Sequence, residues 1–578
     1  MGWLRGLGRL TGAVVWVVAM APALALLSAA VFDRGPGGEA RASLFPAALV
    51  ALDPFVWECA RNSLAMAAAV TIAARVVGVG VARRAVRCRF RGRMPLAALA
   101  CAGLAVPPAF GAVGLGWLFA PRGPWSGWVA WFWVALATGA PLVGLATASA
   151  LARIDPVWED AARLAGANPG RVWRQFVWPV VRPDVGRALA AVFTLTLFEP
   201  GAPLALGLRR TLAFQGVESA LGGGVGQLSR AAVLALAAAS LAAAVRLIVG
   251  WLVGPSNPVP SREILSIPRA ATTSWGPGVG FVVVLLLATA AAWVPIVGLL
   301  AAACQPAWTG PSGATWPWVS FAGFVAVFHD PLTRGYLTNS AALGVGVVVL
   351  DLVTARALAA WTLTRRGRHA VDRLAEWPAA LPPLAVGVGV LAVPGMLRMA
   401  LDALRMSENR RPLWQVFEAV VDAFDPDRTP WVALIVAVGV VRLPLLARSA
   451  LDRRRGLRPV LVDAAVSLGA TRRQARRTLS GHWLGVPPTA AIVTLALAST
   501  NVAPALLLAP TAETRPLGPA VLSLANEPGG GRNRAAALAS MAVVVNLATL
   551  ALAARGRSGA FRQLGRGSSG FRGPIPVP

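Results

Sequence analysis

Long apolar stretches separated by short arginine-rich or nearly neutral segments dominate the pattern of this chain. A helix rises about 1.5 Å per residue, so about 20 apolar residues cross a hydrocarbon core of about 30 Å. The pattern therefore predicts an all-α polytopic membrane protein with about twelve transmembrane helices. The predicted spans are 10–32, 60–81, 95–119, 128–151, 187–208, 229–254, 277–303, 337–362, 378–400, 430–451, 485–509 and 533–554.

The arginines predict how these spans are oriented. The segment from Arg83 to Arg93 is basic throughout and contains no acid, as cytoplasmic loops do. Successive loops lie on alternating sides of the membrane. Counting from this cytoplasmic segment, we expect both termini in the cytoplasm and the mixed-charge loop 401–428 outside. The first apolar run is longer than the 7–15 residues, roughly, of a signal-peptide core, so we interpret it as a membrane helix.

Composition excludes some functions. The chain has 578 residues, 56% of them hydrophobic and 14% charged, with a formal net charge of +29. All basic residues are arginine, which is typical of a biased genome composition. They cluster in the predicted cytoplasmic loops, so the positive charge is explained by membrane orientation and we expect no nucleic-acid partner. The four Cys and three His form no ligand-like spacing, so we expect no metal site, no cofactor and no disulfide.

Matching landmarks divide the chain into two halves, 1–265 and 266–578. Each half contains six predicted spans, so the two halves share one orientation and form parallel repeats. An insertion in the second half, attributed to loop 401–428, changes the spacing between landmarks from about 277 to about 303 residues. The paired landmarks are Asn62-Ser63 with Asn339-Ser340, Pro107-Pro108 with Pro382-Pro383, Pro141 with Pro444, Asp160 with Asp463, and Ala202-Pro203 with Ala503-Pro504.

A loop that is repeated in both halves carries the strongest signal. Its first copy, within 153–185, contains Asp160, Ala161, Ala162, Gly166 and Ala167. Asp155-Pro156 predicts a helix start, Gly166 predicts the stop, and Asn168-Pro169 predicts a second start.

The second copy, within 453–484, contains Asp463, Ala464, Ala465, Gly469 and Ala470. Gly469 again predicts a helix stop, and Thr471 with Gln474 forms a capping-box pattern. Each copy lies 19 residues after a Pro-Leu pair, which begins at Pro141 in the first half and at Pro444 in the second. Because the geometry repeats while the letters change, we interpret the loop as a docking element. A basic cytoplasmic loop without a partner is the alternative.

Both copies resemble the EAA loop of the membrane subunits of binding-protein-dependent ABC importers. That pattern is Glu-Ala-Ala, three residues, Gly, nine residues and then Ile-x-Leu-Pro. The first copy follows it from Asp160 to Phe176-Val-Trp-Pro179, with Asp in place of the leading Glu. The second copy departs from it at the end, where His482 replaces the final Pro. A chain that holds both halves is similar to the fused permeases of ferric-iron importers and, next, of thiamine and phosphonate importers.

The resemblance implies a permease of a bacterial inner membrane, in which each loop forms a coupling helix on a cytoplasmic ATPase, usually paired. It also implies an extracytoplasmic solute-binding protein as partner, with ferric iron as the best-guess cargo. The chain itself has no catalytic residues under this interpretation. A Walker A loop needs Lys, which the chain lacks, so ATP hydrolysis belongs to a partner subunit.

Polar residues within the spans are possible parts of a translocation pathway. Glu199 and Asn501 lie near the ends of corresponding spans, and acids in membranes often mark pathways. The pairs Pro107-Pro108 and Pro382-Pro383 are predicted to interrupt their helices. An ion-coupled secondary transporter and an integral membrane enzyme remain as alternatives. The first should carry more buried acids or His, and the second a polar catalytic cluster outside the membrane.

Overall fold

The structure is a computed structural model of the full chain. The residues that it describes are 20–34, 40–89, 93–119, 125–222, 226–254, 270–271, 279–305, 320–361, 381–405, 411–425, 428–456, 459–471, 474, 486–527 and 531–556.

Helices make up almost all of the described part of the first half. They are α1 (Met20–Val31), α2 (Phe45–Leu52), α3 (Pro54–Arg87), α4 (Arg93–Cys101), α5 (Pro108–Phe119), α6 (Ser126–Ala152), α7 (Pro156–Leu164), α8 (Pro169–Arg171), α9 (Trp178–Phe198), α10 (Gly201–Ala205), α11 (Leu212–Leu221) and α12 (Gln227–Val253). A 3-10 turn at Ala102–Ala105 follows α4, and a π-helical turn at Val172–Val177 leads into α9.

The described part of the second half is also almost entirely helical. Its helices are α13 (Val279–Ala303), α14 (Ala322–His329), α15 (Pro331–Trp361), α16 (Pro383–Arg405), α17 (Arg411–Phe424), α18 (Pro430–Gly456), α19 (Pro459–Ser467), α20 (Pro488–Ser499), α21 (Ala503–Leu508), α22 (Leu517–Asn526) and α23 (Gly531–Gly556). Two very short strand pairs complete the described elements. Strand β1 (Phe32–Arg34) pairs antiparallel with β2 (Ala40–Ala42), and β3 (Cys88–Arg89) pairs parallel with β4 (Ala270–Ala271).

The architecture is that of an all-α polytopic membrane protein. Among the described residues, nine helices are long and apolar enough to cross a membrane, or ten when one bent pair is counted. Nine of the twelve predicted spans coincide with such helices. Of the first predicted span, 10–32, only residues 20–32 are described, and Met20–Val31 of these form α1.

Two predicted segments are built differently from the expectation, and a third is interrupted where the sequence predicts it. The span 95–119 is a pair of helices bent by 101° just before Pro108, at the predicted interruption. The span 485–509, in contrast, is split between α20 and α21. The segment 401–428 was predicted as a loop but contains the end of α16 and all of α17. Backbone breaks and amphipathic helices of this kind depend on neighbouring helices, which periodicity alone does not report.

The paired Asn-Ser landmarks make the same contacts in both halves. Ser63 Oγ accepts a hydrogen bond from Leu212 N at 3.0 Å, and Ser340 Oγ accepts one from Leu517 N at 2.6 Å. In each half the preceding asparagine donates to the segment just before that leucine: Asn62 donates to Arg210 O, and Asn339 to Arg515 O. Each Ser thus satisfies the free N–H at the start of a helix, α11 or α22.

The first described helix of each half packs on the opposite half. An added Cβ at Gly114 of α5 would lie 2.6 Å from Pro295 O of α13, so these two backbones are in direct contact. In the reciprocal place, Gly389 of α16 lies directly against the backbone of Pro22 in α1. Only a glycine permits this approach, because any side chain there would collide with backbone atoms. The halves therefore interlock through glycine contacts.

Candidate functional site

The first copy of the repeated loop is a two-turn helix closed by a glycine. Asp155 accepts a hydrogen bond from Val157 N at 2.9 Å and caps α7, as predicted. At the other end Gly166 has φ +85°, and Gly166 N donates to Arg163 O at 2.9 Å. Ala167 N donates to Ala162 O at 3.0 Å, which completes a Schellman stop.

The second copy is closed by the same set of bonds. Gly469 has φ +91°, and its N–H donates to Val466 O at 3.0 Å. Ala470 N donates to Ala465 O, again at 3.0 Å. Every donor and acceptor lies 303 residues after its counterpart in the first loop. The predicted helix stop is therefore confirmed in both copies, although the residues before the glycine differ.

The helix start that follows each glycine is also confirmed. Asn168 Oδ1 accepts a hydrogen bond from Arg171 N at 2.7 Å. In the second copy Thr471 Oγ1 accepts from Gln474 N at 3.2 Å, and Gln474 Oε1 accepts from Thr471 N at 3.0 Å. This is the reciprocal capping box that the sequence predicted. The remainder of the second loop, including His482, lies outside the described residues.

Ionic and aromatic contacts hold the first loop against the bundle. Arg87, in the last turn of α3, pairs with Glu159 of α7 at 2.5 Å, and the two side chains are only 18% and 12% exposed. The guanidinium of Arg83 lies 4.3 Å from the centroid of the Trp173 ring, a cation–π contact. Arg153 pairs with Asp184 of α9. These contacts make the loop an extension of α3 and α9.

The predicted loop residues fall on two sides of this element. Asp463, Ala161, Ala464, Gly166, Gly469 and Pro179 are exposed, whereas Asp160, Ala162, Ala465, Ala167 and Ala470 are half-buried. In the first loop Ala162 and Ala167 pack against a buried cluster of the bundle. The small residues thus serve two purposes, since one side of each turn packs inward and the other is free to meet another surface.

Two leucines beside the glycines were missed in the sequence. Leu164 is 90% exposed and Leu468 is 89% exposed. Val157 and Trp158, on the same helix as Leu164, are 58% and 53% exposed. Large apolar side chains grouped on the surface of a basic loop are typical of a protein–protein contact. The signal was available, because each leucine lies within two residues before its glycine.

The two loops lie at the same end of the bundle. Arg87 contacts the first loop, and Arg89 pairs with Ala271 shortly before α13, so α13 starts near that loop. The far end of α13 meets Gly323, just before α15 begins. The helix α15 then runs back, and Ala355 near its C-terminal end shares a buried cluster with Ala450, just before the second loop.

The possible pathway residues lie at breaks in the spans. The carboxylate of Glu199 accepts hydrogen bonds from Gly201 N at 2.9 Å and Ala202 N at 3.1 Å, so it caps α10 after the break that ends α9. Asn501 lies in the break between α20 and α21 and is 5% exposed. Its Oδ1 has no hydrogen-bond partner in the described part of the chain.

The first proline pair interrupts its span, as predicted, whereas the second lies at a helix start. Pro107 precedes α5 at the 101° bend, and Pro108 is its first residue. Pro383 likewise begins α16, with Pro382 before it, and the part of the predicted span before residue 381 lies outside the described residues. Gly201 lies against Ala109 of α5, which brings Glu199 and Pro107-Pro108 into one neighbourhood.

No group of three His, Cys, Asp or Glu side chains with the arrangement of a metal site occurs within the described ranges. No protein-family model matches the chain, and no curated protein matches it either. The functional argument therefore depends on the two loops, their shared geometry and the sequence pattern that they carry.

Proposed function

We propose that the chain is the membrane-spanning permease of a binding-protein-dependent ABC importer. In this proposal a separate ATPase pair docks on the two loops, and an extracytoplasmic binding protein delivers the cargo to the opposite face. The chain resides in a bacterial inner membrane as two parallel six-helix halves, about twelve spans in all, with both termini cytoplasmic.

One observation carries the proposal. Two loops separated by about 300 residues end on the same Schellman bonds, begin again on the same type of cap, and lie at one end of the bundle. A solvent-exposed loop has no reason of its own to keep this geometry twice, because exposed loops tolerate many conformations. A pair of similar sockets on a partner, one for each loop, explains why both copies keep it.

The exposed leucines support a socket of apolar character. Leu164 and Leu468 stand on the outer side of the turns, where a partner groove can bury them. Burial of one leucine side chain is worth about 1.5–3 kcal/mol. The arginines around the loops add attraction to an acidic rim, which sets orientation more than affinity.

Rigid attachment of the loop supports a mechanical role. When ATP draws two docked ATPase subunits together, each loop is pulled with its subunit. The contact of Arg87 with Glu159 and the stacking of Arg83 on Trp173 pass that movement to α3 and α9. Because α9 leads to the break at Glu199, a shift of the loop reaches the contact between the halves. The cavity between the halves then changes the side on which it is open.

The duplication is supported by reciprocal contacts at matched positions. The Ser63 and Ser340 caps bind corresponding helices, and Asp53 pairs with Arg230 as Asp330 pairs with Arg534. Ferric iron is the cargo that we favour, with thiamine or a phosphonate next. This choice depends only on the resemblance to fused permeases, since selectivity belongs largely to the binding protein.

Site-specific photocrosslinking tests the proposal. We would place a benzophenone amino acid at Leu164 or Leu468 of the full chain in the organism that makes it. The control position is Leu52, which is 79% exposed and lies just before α3, about 50 Å along that helix from Arg87.

We expect adducts from both loop positions to contain a protein with a Walker A motif, and none from Leu52. Absence of that protein from both loop adducts would reject the proposal. Cargo uptake that continues in its absence would favour an ion-coupled transporter instead.

A further inference from the structure

Two charged residues lie inside the spans of the second half. Asp351 of α15 is 1% exposed and faces the neighbouring helix α18, since an added Cβ at Gly439 would lie 3.3 Å from its Oδ1. Arg442 lies one turn further along α18. Within the described residues, Asp351 Oδ2 and Arg442 Nε are buried without a hydrogen-bond partner. Charged groups are costly to place in a membrane, so a pair like this needs a reason.

The first half shows that the helix packing does not require charges there. At the landmark offsets of 277 and 303 residues, Asp351 corresponds to Ala74 and Arg442 to Gly139. An added Cβ at Gly139 would lie 3.5 Å from the Cβ of Ala74, so these positions also face each other. A methyl group and a hydrogen fill the place that the charged pair occupies in the other half.

Arg442 reaches the end of a broken span. Its Nη2 donates a hydrogen bond to Leu497 O at 3.0 Å, in the last turn of α20. The last carbonyls of a helix have no intrahelical donor, which is a problem inside a membrane. Neighbouring carbonyls of the same turn are also bound, since Ala496 O accepts from Thr500 Oγ1 and Ala498 O accepts from Asn501 N.

Asn501 lies directly after this turn, where the halves meet. The adjacent Val502 belongs to the same buried cluster as Ala109 and Phe110 of α5 in the first half. Gly518 of α22 packs directly on the backbone of Asn501. The amide oxygen of Asn501 is buried and unpartnered among the described residues, so it is an acceptor available to a ligand.

The first half secures its own break by other means. There Glu199 caps α10 from within the same span, through Gly201 N and Ala202 N. At the offset of 301 residues that relates Ala202-Pro203 to Ala503-Pro504, the second half has Thr500 in place of Glu199 and no carboxylate at that point. In the second half the contact from another helix is made on the other side of the break, where Arg442 donates to the carbonyl end of α20.

We propose that Arg442, neutralised by Asp351, is a positioning residue that fixes the break after α20 so that Asn501 offers the lone pairs of its amide oxygen to the cargo, as a ligand to a metal ion or as a hydrogen-bond acceptor. This inference rests on the proposed transport function. Arg442 acts through the backbone of Leu497 and does not itself touch the cargo. Asp351 is needed because a guanidinium without a counter-charge is not stable at this depth.

The first half provides the matched variant. Asp351→Ala alone leaves the arginine without its counter-charge, and we expect most of the protein to be lost from the monodisperse peak in gel filtration. The double variant Asp351→Ala with Arg442→Gly copies the Ala74 and Gly139 pair, and we expect it to restore that peak. Arg442→Lys tests whether a cation alone is sufficient.

Hydrogen exchange in the purified full chain tests, without any cargo, the clamp that Arg442 forms on the break by its hydrogen bond to Leu497 O. Because the double variant loses the bond to Leu497 O, we expect amides of peptides covering 498–508 to exchange about tenfold faster than in the natural chain. Peptides covering the first-half break at 198–205 should not change. Equal exchange at 498–508 in both proteins would overturn the clamp.

Uptake of radioactive ferric iron by cells tests the role of Asn501. We expect the double variant and Asn501→Ala each to raise the KM for uptake about tenfold, while maximal uptake stays within about twofold of the natural chain. For Arg442→Lys, which keeps a cation at this position, we expect a smaller rise in KM. An unchanged KM together with faster exchange would overturn the link to cargo. If the natural chain takes up no ferric iron while Leu164 still crosslinks to the ATPase, the cargo assignment fails, and the exchange result still decides the clamp.

Discussion

Replacing both loop glycines is the perturbation whose effect is easiest to calculate. Gly166 and Gly469 have φ of +85° and +91°, in the left-handed region. An added Cβ would meet nothing within 4 Å at either position, so a substitution changes only the backbone preference. The left-handed conformation costs a residue with a Cβ about 1–2 kcal/mol. A free loop escapes this cost by changing shape, whereas a docked loop does not.

This conformational cost should lower the affinity of the chain for the ATPase. Each Gly→Val substitution costs docking about 1–2 kcal/mol, and the two distant sites add. Because 1.4 kcal/mol is about tenfold, the double Val variant should bind the ATPase about 30-fold to 1,000-fold more weakly. The matched control is Gly→Asn at both positions, since Asn tolerates the left-handed region.

The assay is titration of the purified chain, in detergent, with the ATPase recovered from the crosslinks. Gel filtration should give the same monodisperse peak for the natural chain, the Val variant and the Asn variant, because both loops are exposed. Equal affinity for natural and Val forms would refute the reasoning. A loss for Asn as large as that for Val would show that backbone conformation is not the cause.

Three further predictions concern the bundle. Ser63→Ala and Ser340→Ala should each lower the free energy of unfolding by about 1–2 kcal/mol, and by similar amounts, because each removes one helix cap; thermal unfolding in detergent measures this, and a large difference between them would contradict the matched roles. Glu159→Gln should weaken ATP-driven uptake more than ATPase binding, since the loop stays docked but is held less firmly to α3; equal losses would count against the mechanical link. Gly114→Val should reduce the monodisperse fraction in gel filtration, because its side chain meets the backbone of α13, whereas Gly166→Val should not.

Local signals in the sequence were sufficient for the loops. The caps at Asp155, Asn168 and Thr471 and the stops at Gly166 and Gly469 depend on residues within one or two turns of each other. Such short-range bonds form wherever the chain places those residue types. The long spans were predictable for a similar reason, since lipid requires continuous apolar helices.

Features that depend on distant contacts were not predicted. The break at Asn501 divides an apolar run that looks continuous, and its support comes from Arg442 on another helix. The packing of α1 on α16 and of α13 on α5 crosses between the halves, which periodicity does not report. The residue spacings between paired landmarks did contain part of this information, because they align Asp351 with Ala74 and Arg442 with Gly139.

The sidedness of the two loops is the most direct test of the account. Single cysteines at Leu164, Leu468 and Leu52, in a chain whose four natural Cys are replaced, would be treated with a membrane-impermeant maleimide. In inside-out vesicles we expect the first two to react and the third to be protected, with the reverse in right-side-out vesicles. Reaction of either loop cysteine from the external side would contradict the docking of a cytoplasmic ATPase on these loops.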